Sequence, residues 1–147
     1  MAATASAVMR RWFQEVWCEG REASVTALFA AHGLAHGLGP TPVKGPQEFL
    51  AFWRTFRATF SDLHIGVLAE VDQGPLTYVR CLAKMTFRGR PVALEGGCLC
   101  RVERGQIVEC WNTWDFVGLL VGMGALPPDV VPRAFAGEVA RFAPTPR

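Results

Sequence analysis

The chain has 147 residues, half of them apolar and only 19% charged, which fits one packed globular domain rather than a disordered protein. The net charge is +2 and the basic residues are scattered, so nucleic acid is not an expected partner.

Val8 to Cys18 reads as an amphipathic helix, with Val8, Trp12 and Glu15/Val16 at helical spacing and Gly20 as a stop. A second helix is expected from about Glu22 to Ala31, ended by His32-Gly33, followed by a Gly/Pro-rich loop from Gly33 to Pro46. Pro46 suits the first turn of a third helix. That helix carries Phe49, Phe52, Trp53, Phe56 and Phe60 as one aromatic stripe. Such a stripe reads first as core, and one or two of its rings can line a ligand cavity.

Strands follow: Leu63 to Val71, Leu76 to Phe87, Val92 to Val102 and Gln106 to Trp114, with turns at 72–75, 88–91 and 103–105. On the second of these, Val79, Cys81, Ala83, Met85 and Phe87 share a face that reads as buried. Tyr78, Arg80, Lys84 and Thr86 share the other. A short apolar helix is expected after Asp115, and one more helical turn near Ala134 to Phe142. Helices followed by an antiparallel meander define an α+β order, with a single domain over 1–147, its core at about 8–127 and a tail from 128. The longest apolar run, Phe116 to Leu126, holds three glycines and is too short to span a bilayer, and no secretion signal is read at the N-terminus. The five cysteines are odd in number and not spaced as a disulfide scaffold, so reduced thiols in a cytoplasmic protein are expected.

The run Gly105-Gln106-Ile107-Val108-Glu109-Cys110-Trp111-Asn112-Thr113-Trp114-Asp115 is the most informative stretch. With Gly118-Leu119-Leu120 and Gly124-Ala125-Leu126-Pro127 after it, it resembles the closing signature of the SnoaL-like polyketide cyclases. Val8-Met9-Arg10-Arg11-Trp12-Phe13 through Val16-Trp17 resembles that family's first helix. His36-Gly37, Gly45 and Phe60-Ser61-Asp62-Leu63 resemble its later landmarks, with Ser61 in place of the usual proline. The similarity covers most of residues 8 to 127. The Gly-Thr-His-x-Gly hairpin of demonstrated cyclases is absent, and Gly89-Arg90-Pro91-Val92 stands there instead. The resemblance extends to the nuclear-transport-factor-like and ketosteroid-isomerase-like superfamily. It implies a cone-shaped, strongly curved antiparallel sheet wrapped around about three helices, with an internal apolar pocket, and a homodimer.

The resemblance also places Asp115 at the end of the last strand, facing the cavity, as the acid/base group. A carboxylate among Trp111, Trp114, Phe116 and Leu119 would have little water, which favours its protonated form and suits proton transfer next to a carbonyl. Asp115 also fits as the N-cap of the next helix. His36 could donate to a substrate oxygen or orient Asp115, or be a plain loop histidine. Phe13, Trp53, Phe56, Cys98, Cys100, Trp111, Asn112 and Leu119 are the candidate substrate-binding residues. Cys98 and Cys100, two apart on a strand, read as pocket wall or core rather than a disulfide or nucleophiles. Gly33 and Gly37 argue against one helix presenting His32 and His36 to a metal. The expected activity is cofactor-free and metal-free: an intramolecular aldol cyclisation, or a related lyase or isomerase step, on a small hydrophobic carbonyl compound. The alternative is a non-catalytic binding or dimerisation domain.

Overall fold

The computed structural model describes residues 2–138. Thr4 opens the first helix: its Oγ1 accepts from the Ala7 N–H at 3.2 Å, and α1 runs Ala5–Arg11. The helix then widens into a π-helical stretch, Trp12–Cys18, closed by the Glu19 N–H donating to the Gln14 carbonyl at 2.9 Å. The wider pitch brings Trp12 and Trp17, five residues apart, toward the same interior. Next come α2 (Glu22–Leu28), β1 (Phe29–His36), β2 (Val43–Lys44) and α3 (Gly45–Thr59), with Pro46 in the first turn of α3. The strands β3 (Ser61–Gln73), β4 (Leu76–Phe87), β5 (Arg90–Glu103) and β6 (Gln106–Trp114) form the meander, and α4 (Phe116–Gly122) and α5 (Val130–Phe135) follow. Of the helical turn expected near Ala134 to Phe142, residues 139–142 lie outside the described residues.

Among the described residues the sheet has six strands in the order β2-β1-β6-β5-β4-β3, curved but not closed into a barrel. All neighbours are antiparallel except β1 and β6, which are parallel. Two expectations are corrected here. The second helix stops at Leu28, and part of the expected loop is strand: β1, and β2 paired to it. The alanines and Gly33 carry little strand propensity of their own. The strand forms because Leu34 to His36 pair with Glu109 to Trp111 of β6, a tertiary contact that local sequence does not announce. Gly33 sits where β1 bulges, and a Cβ there would stand 2.9 Å from the Ala30 carbonyl oxygen and 3.0 Å from the Phe29 ring.

The first helix with its π-helical stretch, α2 and α3 pack against the concave face. Phe49, Trp12, Trp17 and Phe29 interlock there, with Trp12 and Phe49 ring centres 4.8 Å apart at 62°. A second cluster at the far end joins Phe60, Ala83, Met85, Val92, Leu94 and Leu119. α1 is also tied to the end of β3: the Ser6 hydroxyl donates to Asp72 Oδ2 at 2.6 Å and the Ser6 N–H to Oδ1 at 3.1 Å. No helix among the described residues is long and apolar enough to cross a membrane.

Candidate active site

A cavity of about 60 Å³ lies between the helices and the concave face of the sheet. The first helix contributes Met9, Trp12, Phe13 and Trp17, and α3 contributes Phe49, Phe52 and Phe56 at spacings of 3 and 4. Phe29, Ala35, Ile65, Ala83, Leu94 and Cys98 come from strands β1 and β3 to β5. From β6 come Ile107, Cys110, Asn112 and Trp114, with Leu38 and Phe116 at the margins. No carboxylate and no imidazole lines the cavity among the described residues.

Asn112 supplies the polar handle. Its Nδ2 donates to the His36 carbonyl at 3.0 Å, and its Oδ1 accepts from Trp114 Nε1 at 3.1 Å. An amide has two donors and two acceptor lone pairs, so one of each remains for a ligand. Gly96 makes room for Trp114. A Cβ on Gly96 would stand 2.4 Å from the Thr113 carbonyl oxygen and 3.0 Å from the Trp114 ring.

The register of β6 decides which residues reach this interior. Arg101 pairs with Glu109 but Val102 with Ile107, so Val108 is an extra residue on β6. The bulge puts Cys110 opposite Cys100 and Asn112 opposite Cys98, on the concave face. Continued without it, the pairing would set Cys110 opposite Leu99, whose side chain is exposed on the other face.

Of the expected site residues, the structure brings Phe13, Phe56, Cys98 and Asn112 together in the cavity wall. Trp53 is buried but outside it, its indole N–H donating to the Val16 carbonyl at 3.1 Å. Cys100 lies in the core behind the wall, and Leu119 belongs to the second cluster. Trp111 does not reach the cavity. It is 39% exposed on the convex face, stacked on His36 with ring centres 5.7 Å apart and planes at 13°. His36 sits at the end of β1, not in a loop, and its Nε2 is 2.9 Å from Glu109 Oε2. The hydrogen bond from His36, then that from Arg101, holds the Glu109 carboxyl below its usual range.

Asp115 is exposed. Its Oδ1 accepts from the Gly118 N–H at 2.8 Å and caps α4, and it borders a shallow convex groove with Tyr78, Arg80, Glu95 and Thr113. The expected desolvation is therefore absent: Trp114 and Phe116, its chain neighbours, line the cavity, and Asp115 points to the opposite side. His32 and His64 are exposed.

Sequence reasoning missed Met9, Trp12, Trp17, Phe29, Ile107, Cys110 and Trp114 as wall residues. Trp12, at helical spacing from Val8, carried a signal for burial but none for a cavity. Cys110 carried none, because its face depends on the bulge. The Cys98, Cys100 and Cys110 sulfurs lie within 4.8 Å of one another, with Cys100 Sγ 2.6 Å from Cys110 Sγ. Hydrogen bonds from Cys100 and then Cys98 lower the Cys110 thiol, while burial above all pushes Cys100 up. Cys81, one strand away, is pushed up to about 12 by burial.

A curved sheet closed by helices over an apolar cavity defines the α+β cone of the ketosteroid-isomerase-like kind. The sequence pattern of the SnoaL-like polyketide cyclases matches residues 7–121, and the chain belongs to that family. IdmH from Streptomyces antibioticus is similar in structure, with a TM-score of 0.74 and 26% identity over 83% of this chain and 99% of that one. Two more distant structures share the fold. One is a protein with a ketosteroid isomerase-like fold from Catenulispora acidiphila, in complex with trimethylamine, with TM-score 0.71 and 19% identity over 83% of this chain and 95% of that one. The other is an epoxide hydrolase from M. tuberculosis, with TM-score 0.69 and 11% identity over 88% of this chain and 96% of that one. No curated protein matches the chain in sequence.

Proposed function

We propose that this protein binds a compact hydrophobic carbonyl compound in the cone and carries out a cyclase- or isomerase-type step on it, without a cofactor. The observation that carries this reading is the cavity itself: apolar on nearly every side, with one amide, Asn112, holding a free donor and a free acceptor. A carbonyl oxygen placed on that donor gains stabilisation as it becomes an enolate. The volume of about 60 Å³ suits a small ligand. A multi-ring substrate, of the size that usually needs roughly 300 Å³ or more, requires Met9 and the α3 phenylalanines to turn aside.

Asp115 is the proposed acid/base, and in this role it gives up its bond to Gly118 and turns between Trp114 and Phe116 toward the cavity. The test is Asp115→Asn, assayed for turnover of a cyclisable β-keto ester together with melting temperature. Asparagine caps a helix nearly as well as aspartate, so stability holds, while loss of the base costs roughly 10²- to 10⁴-fold in rate. Unchanged turnover in the stable variant removes Asp115 from the chemistry. One observation favours a second reading, a binding module with no chemistry: no carboxylate or imidazole lines the cavity among the described residues. Ligand binding by the wild-type protein with no turnover would establish it.

The same reading includes a homodimer in the cytoplasm. Val71, Tyr78, Leu99 and Trp111 stand directly opposite one another across β3 to β6 and are all exposed, a continuous apolar row on the convex face. Arg80 with Glu95, and Arg101 with Glu103, flank it. A face carrying both signs around an apolar row can complement a second copy of itself across a two-fold axis. The described cysteines are all free thiols, which suits a reducing compartment.

A further inference from the structure

Cys98 and Cys100 project two residues apart from β5 to the concave face, and Cys110 stands directly opposite Cys100 on β6. All three are buried, at 2%, 0% and 7% exposure. The proposed reaction uses none of them.

We propose that Cys98, Cys100 and Cys110 form a three-thiolate site for one soft, thiophilic cation with a filled d shell, the class that includes zinc, cadmium and copper(I), loaded from the cavity. The donor set carries the choice of ion. Three sulfurs converge with no carboxylate or imidazole in the group, and thiolates select such ions over magnesium or calcium. Size agrees. Metal–sulfur bonds of about 2.3 Å hold sulfurs roughly 3.8–4.0 Å apart. The separations present run from 2.6 Å to at most 4.8 Å and bracket that value. Rotations about the three χ1 bonds can even them out while the paired strands stay in place.

Number agrees as well. A disulfide between Cys100 and Cys110 would leave the third sulfur idle, whereas one ion engages all three. The three thiols give up three protons on binding, and the ion takes the place of those protons among the sulfurs. Cys98 and Cys110 border the cavity, so an ion has an entry path. Asn112 lies opposite Cys98 on the same face.

Cadmium chloride is the probe. Wild-type protein, reduced with a phosphine and stripped with a chelator, is titrated while thiolate-to-cadmium absorption and melting temperature are followed. The site predicts absorption that saturates at one equivalent per chain, a melting temperature that rises with cadmium, and three thiols protected from alkylation. Cys98→Ala and Cys110→Ala each weaken binding roughly 100-fold or more. Cys18→Ala, whose sulfur lies outside the group, binds as wild type. The wild-type titration decides the matter even if an alanine variant fails to fold. Saturation short of one equivalent, uptake that disappears in Cys18→Ala, or Cys98, Cys100 and Cys110 still alkylated at saturating cadmium would each overturn the site.

Discussion

The two faces of β5 carry opposite chemistry within one strand. Leu94, Cys98 and Cys100 point to the concave side and are almost wholly buried, while Glu95, Leu99 and Arg101 point to the convex side and keep contact with water. The concave residues make the cavity wall and the sulfur group. The convex residues make an apolar row bordered by ion pairs. Side chains alternate with a period of two, so a one-residue change in register exchanges these roles completely. On β6 the bulge at Val108 makes that exchange: it sends Cys110, Asn112 and Trp114 inward and Trp111 outward.

Leucine-to-lysine substitutions on the two faces of β5 give the sharpest test of this contrast. Leu94 is 5% exposed in the second core cluster, and Leu94→Lys places an unpaired charge there. The expected loss is on the order of 4 kcal/mol or more in urea unfolding. Leu99 is 40% exposed, and Leu99→Lys should leave stability within about 0.5 kcal/mol. If the convex row joins two copies, the same variant weakens self-association by roughly 30-fold, read by sedimentation across a concentration series. A monomeric wild-type protein at micromolar concentration would remove the dimer and leave the stability contrast standing.

Much of this architecture could be read from local pattern. Val79, Cys81, Ala83, Met85 and Phe87 alternate with Tyr78, Arg80, Lys84 and Thr86; the structure buries the first four and exposes Tyr78, Arg80 and Lys84, while Thr86 and Phe87, at the strand end, are half-buried. The bounds expected for β4 and β6 agree with those found. Phe49, Phe52 and Phe56 lie at helical spacing and reach the cavity together. What escaped notice depends on distant partners. Phe29 to His36 becomes a strand only because β6 lies beside it. Trp53 packs into the core with its indole N–H on the Val16 carbonyl of the π-helical stretch, and it does not line the cavity that its neighbours Phe52 and Phe56 line. Trp111 and Trp114 differ by three positions and so cannot both face inward on one strand. The strand's alternation offers two choices, and only the bulge selects Trp114.

The smallest expected effect belongs to the convex face and concerns acid. Glu109 accepts from His36 at 2.9 Å and from Arg101 at 3.2 Å, and Arg101 also holds Glu103. The two hydrogen bonds favour the Glu109 carboxylate and lower it from its ordinary 4.5. A carboxyl lowered by folding contributes stability that is fully present above the unfolded value and is lost as pH falls through the lowered one. The wild-type urea midpoint should therefore drop below about pH 4.5 by more than that of Glu109→Gln, which has no such proton to take up. The difference should be slight, because both side chains of the pair touch solvent and exposed pairs are worth little. High salt should shrink it further, since exposed charges are screened. Asp72 and Glu15 are likewise lowered, by Ser6 and by Arg11, so both proteins lose stability in acid and only the gap between their curves reports Glu109. A gap that opened above pH 6 would assign the effect to some group other than this carboxyl. A gap of the same size in high salt would mean that the screened interactions of Glu109 with His36 and Arg101 are not its source.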